Sequence, residues 1–162
     1  MTGVQTCVFR SPTPRTEIAL SYSYLASKYD RYFSPTLGNL SGLQFPFTPK
    51  NKVSVTGRYH LAVGPDLGDL SLGATYLLQS SVNGGPDYNP TDVIRGYGLV
   101  NLRLDWKQAL GSDFDASLFV TNAADTVYRT RLSALYNIFG IAGASYGEPR
   151  IFGAQLSYRF GP

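Results

Sequence analysis

Residues 147–160 read GEPRIFGAQLSYRF. Phe152, Ala154, Leu156, Tyr158 and Phe160 fall on one side of an extended strand, and Gly153, Gln155, Ser157 and Arg159 fall on the other. Successive Cβ atoms of a strand point to opposite sides of the pleat, so strict alternation of this kind marks one apolar and one polar face. A soluble sheet buries the apolar face in a core. A transmembrane barrel turns that face to lipid and leaves the polar one to line a wet lumen.

The same alternation recurs upstream. Ile18, Leu20, Tyr22 and Tyr24 oppose Glu17, Ala19, Ser21 and Ser23; Val53, Val55, Tyr59 and Leu61 oppose Ser54, Thr56, Arg58 and His60. Leu70, Leu72, Ala74, Tyr76 and Leu78 oppose Ser71, Gly73, Thr75 and Gln79, and Val100, Leu102, Leu104 and Trp106 oppose Asn101, Arg103, Asp105 and Lys107. Phe114, Ala116, Leu118 and Val120 oppose Asp115, Ser117, Phe119 and Thr121. These segments predict about six strands. The connections alternate between long (26–51, 80–96, 123–146) and short (around Gly64-Pro65-Asp66 and Leu110-Gly111-Ser112), the plan of a barrel with turns on one rim and loops on the other. A helix is excluded, because at about 100° per residue Arg103, Asp105 and Lys107 would interrupt any apolar stripe. Charges of both signs stay on one face of each strand, and Tyr24, Tyr59, Tyr76, Trp106 and Tyr158 recur near strand ends as an interfacial girdle requires. The lipid-facing reading is therefore preferred to a soluble β-sandwich.

Composition agrees. Charged residues are 15% of the 162, against about 25% in ordinary soluble domains, and there are 12 tyrosines. The net charge is only +3 and no Lys/Arg run occurs, which argues against nucleic acid as a partner. No segment approaches 18 apolar residues, so no membrane-spanning helix is expected; barrel strands carry a weaker signal and are not excluded by that. The lone Cys7 and lone His60 rule out an internal disulfide and an all-protein Cys/His zinc site. Residues 1–14 continue no pattern and lack the apolar segment of a signal peptide, so they are expected to be a non-native or disordered N-terminus, with residues 15–162 forming the barrel segment.

Three stretches resemble TonB-dependent outer-membrane receptors. FTPKNKVSVTGRY (47–59) is similar to the segment entering a late barrel strand, LFVTNAADTVYRT (118–130) to the V-x-N-L-x-D-x-x-Y segment near the end, and GEPRIFGAQLSYRF to the closing strand. The resemblance implies an all-β, antiparallel up-and-down transmembrane barrel of about 22 strands, of which this chain supplies the C-terminal part. It implies a Gram-negative outer membrane, with uptake of siderophores, cobalamin or glycans driven through TonB. Partners would be outer-membrane lipids, the barrel-assembly machinery and, in the full-length protein, the TonB system and a plug domain. The chain departs from the family in having no plug segment and too few strands to close a barrel, and so reads as a fragment. Phe160 corresponds to the terminal aromatic of the assembly signal, but here Gly161 and Pro162 follow it. A small standalone outer-membrane β-protein and a soluble sandwich acting as a binding module are the alternatives.

No catalytic constellation, cofactor motif or metal site is expected. His60 has no nucleophile elbow nearby, NGG at 83–85 lacks the context of a phosphate loop, and Asp87, Asn89 and Asp92 give too few oxygens for calcium. Arg58, Arg103, Asp105, Asp115 and Arg159 are expected to face the lumen, as salt bridges or as a selectivity element. Among the aromatics and arginines of the long loops, Tyr32, Phe33, Tyr88, Arg95, Arg131 and Tyr136 are the candidates for extracellular ligand contact.

Overall fold

The computed structural model describes residues 2–85, 88, 92–133, 139–141 and 143–160. Its frame is one antiparallel sheet of seven strands: β1 (Thr2–Thr13), β2 (Thr16–Ala26), β5 (Asn51–His60), β6 (Asp69–Gln79), β9 (Tyr97–Lys107), β10 (Phe114–Thr121) and β13 (Ile151–Tyr158), in that spatial order. The long connections L1 (27–50), L2 (80–96) and L3 (122–150) each carry a two-stranded ribbon. These are β3 (Phe33–Ser34) with β4 (Gly38–Asn39), β7 (Val82–Asn83) with β8 (Val93–Ile94), and β11 (Arg129–Ser133) with β12 (Gly143–Tyr146). The short turns lie at the opposite end.

Register carries each face across the sheet. Val8, Leu20, Val55, Tyr76 and Val100 form one row across β1 to β9, and Tyr59, Leu72, Leu104, Leu118 and Ala154 form another from β5 to β13. On the opposite face run Ala19, Thr56, Thr75 and Asn101, and then Glu17, Arg58, Gly73, Arg103, Phe119 and Gly153. A slip of one residue would exchange the two faces, so the apolar set specifies the register.

The apolar face is uncovered. Leu118 is 58% exposed, Leu156 71% and Phe152 75%, whereas the buried apolar side chains Leu40, Val82, Ile94 and Leu132 all belong to the loops. A sandwich would lay a second sheet on Leu72, Leu104 and Leu118; here the wall is one layer thick, and the soluble alternative fails on that point. The sheet is also open, with β1 and β13 as its edges.

Two glycines of the seven-stranded sheet sit under aromatic rings. A Cβ on Gly153 would lie 2.1 Å from the Phe119 ring, and one on Gly98 2.6 Å from the Tyr76 hydroxyl. This accounts for Phe119, an apolar residue on the polar side of its strand: it roofs Gly153 in the same register row. At the turn end, the Trp106 indole N–H donates to the Leu67 carbonyl (2.6 Å), tying β9 to the 3-10 turn Pro65–Leu67.

The structure adds to the sequence reading in three places. Residues 2–13, expected to belong to a non-native or disordered N-terminus, form the strand β1, with Val4, Thr6 and Val8 on the apolar face and Gln5 and Cys7 on the other. The pattern is hidden because Phe9 and Arg10 stand on the wrong faces for alternation, and because the register shifts between Arg10 and Thr13, across Pro12, which has no N–H to pair. The sheet therefore has seven strands, where six were expected. The strand expected from Val100 begins at Tyr97, and the long loops are partly ordered into ribbons.

Leu102 is the sixth of the 11 residues of β9, so an arginine there faces the middle of the lipid layer. Leu102→Arg is expected to lower stability by about 2–4 kcal/mol in bilayer vesicles, while Thr75→Arg on the opposite face costs less than about 1 kcal/mol. Urea titration of both variants folded into the same vesicles measures the difference.

Candidate functional site

The polar face carries a connected charge network. Arg103 and Asp105 are two residues apart in β9 and so share a face; Arg103 Nε donates to Asp105 Oδ1 at 2.7 Å. Ser117, in register with Asp105, accepts from Arg103 Nη2 at 3.0 Å and donates to Asp105 Oδ1 at 2.7 Å. Arg58 lies two strands away, but the intervening residue of its row is Gly73, which leaves the guanidinium room to come within 3.6 Å of Asp105 Oδ2. Asp105 is 7% exposed and Ser71 beside it 2%. Nearer the turn end, Arg159 Nη2 meets both oxygens of Asp115 at 2.7 Å, and the Gln108 backbone N–H adds a bond of 2.8 Å to Oδ1. The five expected lumen-facing residues thus form two ion-paired groups that tie strands together.

His60 stands between two carboxylates, with Nδ1 3.1 Å from Asp69 and Nε2 3.9 Å from Glu17. Neither ring nitrogen is bonded to a hydroxyl nucleophile among the described residues. Phe160 lies beyond the end of β13 and packs edge-on against Tyr158, with ring centroids 4.7 Å apart; Tyr158 in turn meets Phe114 at 4.7 Å.

In the loops, the predicted contact residues separate into two groups. Tyr32 stacks on Tyr29 at 5.0 Å, Tyr29 packs on Phe45 at 4.5 Å, and the Tyr88 hydroxyl donates to the Gln44 carbonyl. With the Phe47 N–H donating to the Asn83 carbonyl (2.8 Å), these contacts pin L1 to L2. Partial burial raises the Tyr88 phenol above its ordinary pKa, and the neighbouring Tyr29 adds to the rise. Phe33 points away, 72% exposed, and Arg131 stands on β11 opposite Ser145. Tyr136, Asp87 and Asn89 lie outside the described residues.

Arg95 belongs to the second group. It lines a cleft of about 420 Å³ between L2 and L3 together with Tyr97, Val127, Tyr128, Arg129 and Tyr146. Tyr97 and Tyr128 pack at 4.4 Å, and the Arg129 guanidinium carbon lies 6.0 Å from the Tyr146 ring centre. Neither Arg95 nor Arg129 has a carboxylate partner among the described residues. Side-chain to backbone bonds close L3 on itself. Asn122, 3% exposed and in the left-handed region (φ 48°), donates to the carbonyls of Thr126 (2.9 Å) and Glu148 (3.1 Å) and accepts from the Thr126 N–H (2.9 Å). Asn is among the few residues that occupy this region without large cost. Asp125 then receives the Arg150 N–H at 3.2 Å, so both ends of L3 are drawn together. The Tyr128 ring occupies the space where a Cβ on Gly147 would stand (1.9 Å), so only glycine fits there.

Sequence reasoning missed Tyr97, Tyr128 and Asn122 as site-forming residues. The signal for Tyr97 was present: its parity matches Asn101 and Arg103 once the strand is extended backwards. Tyr128 and Asn122 are the tyrosine and asparagine of the family-like stretch, but what they do there depends on Gly147 and Glu148, about twenty residues further on.

A single-layer antiparallel sheet with its apolar face bare, charges confined to the other face from β2 to β13 and ordered loops at one rim is a wall segment of a membrane β-barrel. The model of the family described as TonB dependent receptor-like, beta-barrel, matches residues 9–123. The chain belongs to that family, whose members are receptors and transporters, not enzymes. Among solved structures, the ferric yersiniabactin uptake receptor of Yersinia pestis superposes with a TM-score of 0.79 at 18% identity, over 98% of this chain and 23% of that one. The siderophore receptor PiuA of Acinetobacter baumannii gives 0.69 at 19% identity (95% and 20% coverage), and the ferric preacinetobactin receptor BauA of the same organism 0.69 at 19% (96% and 21%). The chain thus spans about a fifth of the length of these proteins, and at such identity the likeness speaks for the fold alone. No curated protein matches the chain by sequence.

The two arginines that pair with Asp105 differ in distance, which orders their energies. Arg103→Ala removes the 2.7 Å bond to Asp105 and the 3.0 Å bond to Ser117, leaving the buried Asp105 with Ser117 and the longer Arg58 pair, an expected loss of about 1–3 kcal/mol. Arg58→Ala removes only the 3.6 Å pair and should cost less than about 1 kcal/mol. Equilibrium unfolding in lipid vesicles ranks the two. Asn122→Ala is expected to accelerate amide exchange at Thr126 by about tenfold or more, leaving β9 and β10 protected; hydrogen exchange read by mass spectrometry checks it.

Proposed function

We propose that this chain is the C-terminal barrel portion of a TonB-dependent transporter in the outer membrane of a Gram-negative bacterium, and that its L2–L3 cleft contacts an anionic, aromatic cargo such as a ferric siderophore. The observation that carries the ligand class is the pairing of two guanidinium groups, Arg95 and Arg129, neither held by a carboxylate among the described residues, with the three tyrosines Tyr97, Tyr128 and Tyr146 in one cleft. Arginine offers planar, bidentate donors to carboxylate and phenolate oxygens, and aromatic faces receive the ring that bears them. That three solved relatives are named as receptors for siderophores or their ferric complexes supports the same class. Tyr32, Phe33, Tyr88 and Arg131 play a secondary part in this reading: Tyr32 and Tyr88 brace L1 against L2.

On this reading the wall residues Arg58, Arg103, Asp105, Asp115 and Arg159 hold the strands in register, while the remaining barrel strands and a plug domain come from the rest of the full-length protein. Phe160 serves the barrel-assembly machinery as its terminal aromatic.

Salicylate, a small aromatic anion, is the probe for the cleft. Titrated against the chain in detergent micelles, it is expected to bind saturably, and Arg95→Ala combined with Arg129→Ala is expected to weaken it by about tenfold or more. Binding unaffected by the double substitution would remove the cleft from the proposal. The transporter reading is tested separately, by sequencing genomic DNA on the 5′ side of the Met1 codon. An open frame continuing through a plug-encoding segment is expected; a promoter and ribosome-binding site directly before Met1 would instead favour a standalone outer-membrane β-protein.

A further inference from the structure

Two pairs of tyrosine rings are in contact among the described residues, and they differ in what surrounds them. Tyr29 and Tyr32 lie close together in L1, stacked at 5.0 Å with their planes 21° apart, and the Tyr29 ring also packs on Phe45 at 4.5 Å. Held on two sides, that ring has little room to turn. Tyr97 and Tyr128 come from different elements, the loop end of β9 and the L3 residue just before β11. Their ring centres stand 4.4 Å apart with the planes at 35°. Both rings line the cleft of about 420 Å³, so a small solute inside it reaches both.

What holds Tyr128 lies behind it. Its ring fills the space that a Cβ on Gly147 would take, and its carbonyl accepts the Gly147 N–H at 2.9 Å. Tyr97 stands in the ladder of β6 and β9, opposite Gln79. Two anchored backbones thus present two phenols to each other. The hydroxyls of Tyr22 and Tyr88 donate to protein acceptors, whereas those of Tyr97 and Tyr128 do not among the described residues. Arg95 and Arg129, without carboxylate partners among the described residues, give the same cleft a positive charge that concentrates small anions.

We propose that Tyr97 and Tyr128 are an oxidative modification site, joined as a dityrosine by an anionic, oxygen-centred one-electron oxidant, and that the bond staples L3 to β9. The oxidant takes one electron from each phenol, and each hydroxyl proton leaves to water. The two phenoxyl radicals couple through ring carbons beside their oxygens, forming one carbon–carbon bond. The hydrogen on each of those carbons then moves as a proton to its own oxygen, which restores both phenols. Persulfate supplies such an oxidant: its O–O bond splits into two sulfate radical anions, and each ends as sulfate after taking one electron. A bond between the rings leaves their centres about as far apart as they already stand. The rings turn, and the backbones stay where the Gly147 and Gln79 contacts hold them. The site stands whichever ligand the cleft binds.

The full chain in detergent micelles is warmed mildly with persulfate, and the monomer is isolated and digested with trypsin. Cleavage after Arg95, Arg103, Lys107 and Arg129 leaves Tyr97 and Tyr128 as the sole tyrosines of peptides 96–103 and 108–129. The expected product is these two peptides joined, at their summed mass less two hydrogens, with the blue fluorescence of dityrosine. Unfolding the chain in urea before oxidation is expected to lower the yield by about tenfold or more, because the rings lose their proximity. Tyr97→Phe and Tyr128→Phe, which keep both rings, are each expected to abolish the product, and Tyr29→Phe to leave it unchanged. Joined peptides found only in dimers, a yield indifferent to unfolding, or tyrosines oxidised without this link would each overturn the site. In the joined monomer, amide exchange across 126–129 is expected to slow by about tenfold or more; unchanged exchange would overturn the staple.

Discussion

Every backbone N–H and C=O that enters a hydrocarbon layer has to find its partner inside the protein, because no water is there to accept or donate. The seven-strand ladder meets that demand for its five interior strands, and the rest of the molecule follows from it. Once the ladder is fixed, pleat geometry assigns each side chain to lipid or lumen, and register decides which side chains become neighbours. The apolar rows through Leu20 and Leu104 stabilise nothing by leaving water for a protein core, since no core lies behind them. They lower the cost of placing the ladder in lipid. The polar face then does what a core does elsewhere: Arg103, Asp105 and Ser117 lock adjacent strands through short directional bonds.

The edges state the same constraint in reverse. β1 and β13 each have one ladder-bonding side without a strand beside it, and an unpaired edge is costly in lipid. The chain spans about a fifth of the length of its solved relatives.

The wall was legible in the sequence because period-two alternation is local and repeated: five alternate residues suffice to assign a face, as in Phe152, Ala154, Leu156, Tyr158 and Phe160. β1 was not legible, since Phe9 and Arg10 blur the alternation and the strand declares itself only by pairing Val4, Thr6 and Val8 against Tyr24, Tyr22 and Leu20. The loop ribbons are too short, two to five residues, to carry any period at all. The candidate site was legible in kind but not in arrangement. Arginine and tyrosine in long loops pointed to ligand contact, yet Tyr32 and Tyr88 join L1 to L2 while Arg95 meets Tyr97 and Tyr128. Composition supplies the residue types, and only the long-range closure of L3 by Asn122 decides who meets whom.

The buried apolar cluster of Val82, Ile94 and Leu132 sits wholly in the loops, above a wall that has none. Cap and wall therefore answer to different solvents: one gathers because it avoids water, the other stands because it tolerates lipid. Substitutions at distant, independent places add without interfering. The loops can thus be recut, residue by residue, on a wall that does not register the change.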